Sequence, residues 1–441
     1  MNRSSRRRFL ARSLGVSLAA SARWLPSLAT AIDQSETAPK SVILLWMSGG
    51  PSQLDTLDPK PGHENGGEFS AISTAVPGIQ LCEHLPTVAS QMDKLAVIRS
   101  MTAKEGDHGR ATHMAHTGRL PRGPIRYPTF GSLMSAGLPP RPSDLPAFVS
   151  IAPNRFLAPE AFAPGFLGPT HGSLIVGDTN IARPVADQTN LEVRDIAPPE
   201  GISGPRSARR LELLETMQSE FSADRPDAIL EGYRSAHEKA VRLMNSGAAA
   251  AFETDDEPDA LRDAYGRNLF GESCLVARRL VERGVKCVEV SLNGVDGNGG
   301  IGWDTHAQNF AGVEGLCGVL DPAWGTLLRD LSDRGMLEST LVLWMGEFGR
   351  TPQINDTAGR DHFPLAFSAA AAGAGIRGGQ VIGATSEDGM AVADRPVRVP
   401  DLLATACRAV GLDPADTNMS NVGRPIPLLE SDAEVVGELL A

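Results

Sequence analysis

The chain has 441 residues, of which 53 are acidic and 41 are basic, and its formal net charge is −12. This acidic balance argues against nucleic acid as a partner, because phosphate backbones bind basic surfaces. The 46 glycines and 32 prolines favour an α/β enzyme with long loops over a helical bundle.

Residues 1–31 have the features of an export signal. An arginine cluster precedes a modestly apolar run, and Ala29-Thr30-Ala31 forms a small-x-small cleavage site. The stretch SRRRFL, from Ser5 to Leu10, also fits the twin-arginine pattern, whose pathway exports folded proteins. The alternative, an amphipathic helix of the mature fold, fits less well because arginines interrupt the apolar run and no acid balances them. We therefore expect a periplasmic or other extracytoplasmic protein that is exported by the twin-arginine route.

The mature chain should be more acidic still. Removal of residues 1–31 takes away six of the 41 basic residues and no acid, which leaves 35 basic against 53 acidic residues and a formal charge of −18. No later segment has the roughly 18 consecutive apolar residues of a transmembrane helix. We expect neither a nucleic-acid partner nor a transmembrane segment in the mature chain.

The cysteines do not suggest a metal site. No two of them form a CxxC pair, so thiolate ligation is not indicated. An exported protein can carry one or two disulfides, whereas export in the folded state favours free buried thiols at least as strongly. The sequence leaves both alternatives open for the five residues concerned, namely Cys82, Cys274, Cys287, Cys317 and Cys407.

Strand and helix signals alternate along the rest of the chain. The continuous apolar run SVILLWM indicates a strand that is buried on both faces. Apolar periodicity predicts helices over residues 207–221, 227–245, 268–283 and 327–334, and residues 200–265 read as a helical insertion outside the sheet. The predicted strands are Ser41 to Met47, Leu95 to Arg99, Ala147 to Ile151, Val285 to Leu292 and Thr340 to Met345.

This alternation predicts an α/β fold, a three-layer sandwich with a mainly parallel sheet and helices on both faces. Sites in such sheets form beyond the carboxyl ends of the strands. Dense polar stretches follow four of the predicted strands, at residues 48–58, 104–118, 293–306 and 346–362. Their positions are the strongest indication of a functional site in this sequence.

Two of these stretches contain histidines. KEGDHGRATHMAHTG holds three, of which we favour His108 for chemistry, because it lies between Asp107 and Gly109; His113 or His116 is expected to cap or pack. In GWDTH, Asp304 and His306 lie two residues apart on a glycine-rich loop, so that both can reach one cation. Taken alone, an aspartate before a turn residue is also an ordinary helix cap.

The stretch GEFGRTPQINDTAGRDH is the richest in charge. Glu347, Asp361 and His362 are candidate metal ligands, although Asp361 and His362 can approach one site only from an irregular backbone, because neighbours on a strand point to opposite faces. Arg350 and Arg360 can bind an anion or neutralise the carboxylates. An ion-pair network that ties this loop to the sheet is the structural alternative.

Six stretches carry a family resemblance, namely WMSGGPSQLDTLDPKPG, HMAHTG, YGRNLFGESCLVARRLVERGVKCVEV, WDTH, GEFGRTPQIN and GRDH. They resemble a bacterial family known as domain of unknown function 1501, and the likeness covers nearly all of residues 41–430. The resemblance implies the fold of the alkaline phosphatase and sulfatase superfamily, whose members cleave phosphate or sulfate esters at a metal site. Arg395 to Pro414 resembles the closing helix of sulfatase-like enzymes.

The resemblance also shows departures from the superfamily pattern. His108 stands where the superfamily has its serine, threonine or cysteine-derived nucleophile, and Ser48 stands where it has an aspartate, which Asp55 can replace. Glu347-Phe348 replaces an Asp-His pair, whereas His362 matches the last metal-binding histidine. Asp304 and His306 fall at the metal-ligand position with altered spacing.

Two functions follow from these observations. The first is an exported metal-dependent hydrolase of phosphate or sulfate esters, in which His108, Arg350 and Arg360 take catalytic roles. The second is a non-catalytic relative that binds a sulfated or phosphorylated glycan. In either case the partner is an anionic small-molecule or glycan ester. The metal would be a divalent transition ion, zinc before manganese or iron, on the predicted ligands Asp304, His306, Glu347, Asp361 and His362.

Overall fold

The computed structural model describes residues 40–177, 191, 204–223, 228–295 and 301–441. Lys40–Ala441 form one compact unit. The predicted export signal at residues 1–31 lies outside the described residues, and so do parts of the predicted helical insertion at 200–265. The predicted domain boundaries therefore stay a prediction.

One large sheet and its helices organise this unit. The nine strands of the sheet are β1 (Ser41–Met47), β2 (Leu95–Thr102), β3 (Phe148–Ile151), β4 (Leu174–Val176), β5 (Cys287–Leu292), β6 (Thr340–Met345), β7 (Phe367–Ala372), β8 (Gln380–Ile382) and β9 (Val397–Arg398). The α-helices are α1 (Pro86–Ala89), α2 (His108–Thr117), α3 (Phe130–Gly137), α4 (Gly204–Ala223), α5 (Ala228–Ser246), α6 (Asp259–Tyr265), α7 (Leu269–Glu282), α8 (Asn309–Asp333) and α9 (Val399–Ala409).

Four two-stranded ribbons lie outside this sheet among the described residues. They pair Ala71–Ser73 with Gln80–Cys82, Gly349–Arg350 with His362–Phe363, Ala384–Thr385 with Val392–Asp394, and Thr417–Met419 with Pro425–Pro427. The second ribbon is important for the site, because it holds two of the predicted site residues opposite each other, with His362 paired to Arg350.

The sheet is mainly parallel, as predicted. Its order is β8-β2-β7-β6-β1-β5-β3-β4, with β9 pairing to β2. β1 lies at the centre between β5 and β6 and is parallel to both, and all seven of its residues are buried. A strand in this position needs apolar side chains on both faces, which explains the continuous run SVILLWM.

Helices cover both faces of the sheet, which confirms the predicted α/β fold class with its layered arrangement. One hydrophobic core contains buried residues of α7 and α8, such as Leu280 and Leu327. The second core contains residues of α3 and α9, such as Leu133 and Leu403. Each helix layer buries its apolar stripe against one face of the sheet, so the edges of the sheet and its loops remain for polar residues.

The strand β7 was not predicted. It consists largely of alanine, which has low β propensity, so its sequence carries no strand signal. It forms because it is buried between β2 and β6, and it runs antiparallel to both. Reversal of this strand has a functional consequence, because the residues that precede β7 arrive at the same sheet edge as the residues that follow β2, β1, β6 and β5.

Other predicted elements exist with changed bounds. β1 and β6 have the predicted limits, whereas β2 continues to Thr102. The predicted helix at 327–334 is the last part of the longer helix α8, which contains Pro322.

All five cysteines are free and buried, so the structure follows the alternative of free buried thiols rather than disulfides. None of the described helices combines the length and apolar character that crossing a bilayer requires.

Candidate metal centre

Polar loops from four parts of the chain meet at the carboxyl edge of the sheet. His108 is the first residue of α2, which follows β2. Asp304 and His306 lie on the connection from β5 to α8, and Glu347 lies two residues after the end of β6. His362 precedes the reversed strand β7 and therefore comes to the same edge.

The centre of this group is one oxygen atom, Asp304 Oδ1. It lies 3.2 Å from His108 Nε2, 3.1 Å from His306 Nε2 and 3.1 Å from His362 Nε2. The Nε2 atoms of His306 and His362 are 3.0 Å apart. Three imidazoles thus surround one carboxylate oxygen, although these residues span more than half of the chain. We call these four residues the Asp304 cluster.

The other ring nitrogen of each imidazole faces an oxygen that can only accept a proton. The three contacts are His108 Nδ1 to Glu347 Oε1 at 2.8 Å, His306 Nδ1 to Asp361 Oδ1 at 2.7 Å, and His362 Nδ1 to the Gly106 carbonyl at 2.7 Å. A neutral imidazole that donates its Nδ1–H in this way presents a lone pair at Nε2. Metal-bound histidines show this arrangement, in which an outer acceptor orients the ring.

Three residues of the Asp304 cluster, His108, Asp304 and His362, could hold a divalent metal ion, because their ligand atoms all lie within 4.8 Å of one another. Three Nε2 lone pairs beside a carboxylate oxygen repel one another unless a proton or a cation lies between them. Ligands of a tetrahedral zinc ion with bonds of 2.0–2.1 Å would lie about 3.3 Å apart, close to the observed separations of 3.0–3.2 Å. His108 Nε2 is buried and has no hydrogen-bond partner, because its contact with Asp304 lacks hydrogen-bond geometry.

The electrostatics of the metal-free protein agree with this fit. Burial lowers the pKa of His108, but its contacts with Asp304 and Glu347 outweigh burial and raise this pKa to about 9. Burial would raise the pKa of Asp304, but His108, His362 and Arg350 hold it well below its usual range. The site therefore stabilises positive charge between the imidazoles and the acids, which a metal ion can supply.

Local backbone features bring these residues together. The Asp107 carboxylate accepts a hydrogen bond from the Arg110 amide and caps α2, which fixes His108 in the first helical turn. Gly49 has φ +113°, and a side chain there would collide with the backbone of Asp304. Glycine adopts this conformation without strain, and it lets the Asp304 loop lie against the end of β1.

Phe348 forms an apolar platform beneath two of the imidazoles. Its buried ring lies 4.9 Å from the ring of His108 and 4.6 Å from the ring of His362, measured between centroids. Rings held in this way have few rotamers open to them, so the platform and the outer acceptors together fix where the Nε2 atoms point.

Glu347 and Asp361 were predicted as metal ligands. In the structure each of them contacts the Nδ1 atom of a cluster histidine, on the side of the ring away from Asp304 Oδ1. Glu347 Oε1 contacts the outer nitrogen of His108 and accepts the Gly49 amide at 2.9 Å. Its second oxygen, Oε2, is buried without a hydrogen-bond partner. Asp361 contacts the outer nitrogen of His306, and its side chain is 54% exposed. Direct ligation by either residue stays a prediction, and the observed contacts favour an orienting role.

The two arginines that were predicted to hold an anion are fully buried. Arg360 directs its guanidinium at Asp55 and at the carbonyls of Asn65, Thr351 and Pro352. All its N–H groups have acceptors in the protein, so this geometry does not favour binding of a substrate oxygen by Arg360.

Arg350 contacts Asp304 at 2.5 Å and donates to the carbonyls of Gly49, Gly50 and Arg360. Arg350 therefore contacts the Asp304 cluster, but most of its hydrogen bonds are donated to backbone carbonyls. The structural alternative, in which these arginines tie the loop to the sheet, describes their contacts better than an anion-binding role, which stays a prediction.

Other candidate residues do not join the cluster. Asp55 pairs with Arg360, and Asp58 lies near Lys60 and Arg99. His113 contacts the Arg119 carbonyl and His116 packs against Trp46, as expected for histidines that cap or pack. Asp55 therefore does not take the place of the missing aspartate beside the cluster.

Sequence reasoning missed two kinds of contact in the site. The Gly106 carbonyl and the Gly49 amide are backbone groups, so residue identity does not reveal them. The role of Phe348 was also missed, since a phenylalanine after a strand normally reads as core. One signal could have indicated the Gly106 contact. Gly106 lies two residues before His108, which places a glycine-containing turn directly before the helix.

The family profile described as "Protein of unknown function (DUF1501)" matches residues 39–440. No curated protein shows significant sequence similarity to the chain. Solved structures with similar architecture include the PsFucS1 sulfatase from Pseudoalteromonas sp., with 14% identity, a TM-score of 0.42, and coverage of 87% of this chain and 70% of that chain.

Two further solved structures are similar to the chain. The phosphonate monoester hydrolase SpPMH from Silicibacter pomeroyi has 13% identity and a TM-score of 0.39, with 91% of this chain and 76% of that chain covered. An alkaline phosphatase from the Antarctic bacterium TAB5 has 13% identity and a TM-score of 0.31, with 80% and 96% covered. Since these scores are below 0.5, the fold class rests on the sheet and helices described above.

Proposed function

The chain belongs to the DUF1501 family. We propose that it is an exported hydrolase of phosphate or sulfate esters that uses one divalent transition metal. The observation that supports this proposal most strongly is the convergence of three Nε2 atoms on Asp304 Oδ1 at 3.1–3.2 Å. Mixed imidazole and carboxylate ligands suit zinc, and also manganese or iron.

We assign the metal to the Asp304 cluster, with His108, Asp304, His306 and His362 as its ligands. A metal bound there would polarise the ester and lower the pKa of a water molecule. Glu347, Asp361 and the Gly106 carbonyl would orient the imidazoles by accepting their Nδ1 protons. This assignment makes His108 a ligand rather than the nucleophile, because both of its ring nitrogens are already directed at carboxylates.

The surroundings of the cluster suit hydrolysis. His306 is 46% exposed and His362 is 24% exposed, so a substrate can reach this side of the cluster. Glu347 and Phe348, which come after β6, are buried, so the cluster is shielded from solvent where it contacts them. Groups that are fixed in advance and shielded on one side interact strongly with charge that develops in a reaction.

Elemental analysis of the mature protein tests the first part of the proposal. We expect about one equivalent of transition metal, and loss of both the metal and aryl phosphate or sulfate hydrolysis in His108→Ala and His362→Ala. His113→Ala is the matched control, because His113 lies on the same helix but contacts the Arg119 carbonyl instead of the cluster. Metal-free wild-type protein that leaves every ester intact would refute the proposal.

A second candidate function is a non-catalytic module that binds a sulfated or phosphorylated glycan. The observation that favours it is the state of His108, which occupies the nucleophile position of the superfamily but is held by Glu347 and Asp304. Binding of a sulfated glycan without release of sulfate, together with intact metal content, would support this function over hydrolysis.

We also propose export by the twin-arginine route. The arginine cluster before an apolar run supports it, and so do five reduced, buried cysteines, because a protein that folds before export can keep its thiols. Replacing Arg6 and Arg7 by lysine should retain the protein in the cytoplasm. Unchanged fractionation of this double variant would contradict the proposal.

A further inference from the structure

Large apolar side chains are exposed on two loops that pack against the turn carrying His108. Phe156 is 68% exposed and Leu157 is 42% exposed, on the loop that follows β3. Leu365 is 56% exposed and lies two residues before the start of β7. Scattered exposed hydrophobics are normal on a protein surface, but neighbouring ones beside a polar site indicate ligand contact.

Close contacts join these two loops to the turn that carries His108. A side chain at Gly109 would lie 2.9 Å from the Leu157 carbonyl, so the loop after β3 rests on the first turn of α2. On the other side, a side chain at Gly106 would lie 3.7 Å from the Pro364 ring, and the Ala103 amide donates to the Pro364 carbonyl at 2.7 Å. Gly106 and Gly109 flank His108 in sequence.

Both apolar loops therefore lie beside the turn that carries His108. Gly106 also supplies the carbonyl that accepts from His362 Nδ1, so one short turn contacts an imidazole of the cluster and the Pro364-Leu365 segment. An ester whose phosphate or sulfate group lies at the cluster would project its organic group over this turn. Phe156, Leu157 and Leu365 form the surface that we call the apolar rim.

We infer that the organic group of the substrate is apolar, an aryl or alkyl group that binds on the apolar rim, rather than a sugar. This inference rests on the proposed ester hydrolysis for its reaction but makes a separate claim about selectivity. Sugars need polar partners for their hydroxyl groups, whereas exposed Phe and Leu side chains gain free energy only when an apolar surface covers them.

The test compares 1-naphthyl phosphate and sulfate with the methyl esters in the wild-type metal-loaded protein, Phe156→Ser and Leu365→Ser. We expect the ratio of kcat/KM for naphthyl over methyl esters to fall about tenfold in each variant, since part of an aromatic contact is lost. Met419→Ser is the control, because Met419 is 63% exposed on the separate ribbon Thr417–Met419. An unchanged ratio in a wild type that hydrolyses these esters overturns the inference and leaves the proposed function intact.

A binding measurement separates the two claims if no ester is hydrolysed. Calorimetry should show 1-naphthylphosphonate binding at least tenfold more tightly than methylphosphonate, and Phe156→Ser should remove this difference. That result without turnover would refute hydrolysis and support the apolar rim. Equal binding of the two phosphonates, or no binding of either, would overturn the inference as well.

Discussion

Two aspartates near the carboxyl edge of the sheet have opposite surroundings. Asp55 is fully buried, and its two oxygens accept from Arg360, Asn309 and Ser52. Asp304 is 26% exposed and also contacts an arginine, but its Oδ1 is surrounded by three imidazole nitrogens as well. The two arginines come from the same loop, so one loop contributes both to a closed ion pair and to an open cluster.

This comparison shows how a protein can use similar residues for structure and for chemistry. The Asp55–Arg360 pair is complete in itself, because each charge is matched and hydrogen-bonded within the protein. In the Asp304 cluster three imidazoles share one carboxylate oxygen beside partly exposed side chains, so a cation can be held among them. Substitutions at the two aspartates should therefore affect different properties.

The largest effect is expected for Asp304→Asn. An amide is a much poorer metal ligand than a carboxylate and leaves the three imidazoles without a central anion, so we expect metal affinity to fall by more than about 1,000-fold. Metal titration followed by elemental analysis measures this loss. Retention of one equivalent of metal after extensive dialysis would remove the distinction between the two aspartates.

The next effect is expected for Asp55→Asn, and on folding stability. The substitution leaves the buried Arg360 guanidinium without a carboxylate, which should lower the free energy of unfolding by about 3 kcal/mol or more. Urea unfolding of the metal-free protein measures this change. Asp304→Asn serves as the comparison, because its partly exposed carboxylate should contribute less to stability. A greater loss from Asp304→Asn would reverse our interpretation of the two sites.

Glu347→Gln tests the outer contacts of the Asp304 cluster. The amide keeps the size of the side chain but accepts the His108 Nδ1 proton less strongly, so metal affinity should fall about 10- to 100-fold while one equivalent still binds at saturation. Competition with a chelator measures the affinity. If saturation binding itself disappears, Glu347 is a direct ligand, as the sequence predicted.

The smallest effect is expected for Asp361→Asn. Asp361 orients His306 in the same way as Glu347 orients His108, but its side chain is exposed, and water can replace a weakened acceptor. We expect a change in metal affinity of only a few-fold in the same chelator competition. A loss of metal affinity as large as that of Glu347→Gln would mean that the exposure of an outer acceptor does not determine how much it contributes to metal affinity.

Much of the fold could be predicted from local patterns. β1 and β6 were predicted with their observed limits, because each is a short, fully buried apolar run with turn residues on both sides. The strand β7 could not be predicted, since its alanines carry no strand preference and only burial between β2 and β6 makes them a strand.

The polar residues after the strands were predicted to converge, and the structure brings several of them together, while their roles as ligands stay a prediction. Asp304, His306 and His362 were predicted as ligands, and the structure brings them together, while His108 was singled out for chemistry. The outward placement of Glu347 and Asp361 and the saturated state of Arg360 could not be predicted. They depend on which partner each side chain meets in space, and no periodicity records that choice.

The sequence by itself determined the strand-end positions of the polar residues, because hydrophobic runs define where buried strands stop. Only the tertiary structure decided which ring nitrogens face inward and which charges are already neutralised. The physical reason is separation along the chain: His108 meets Glu347 across 239 residues and Asp55 meets Arg360 across 305, and such contacts form only when strands from distant segments align in one sheet.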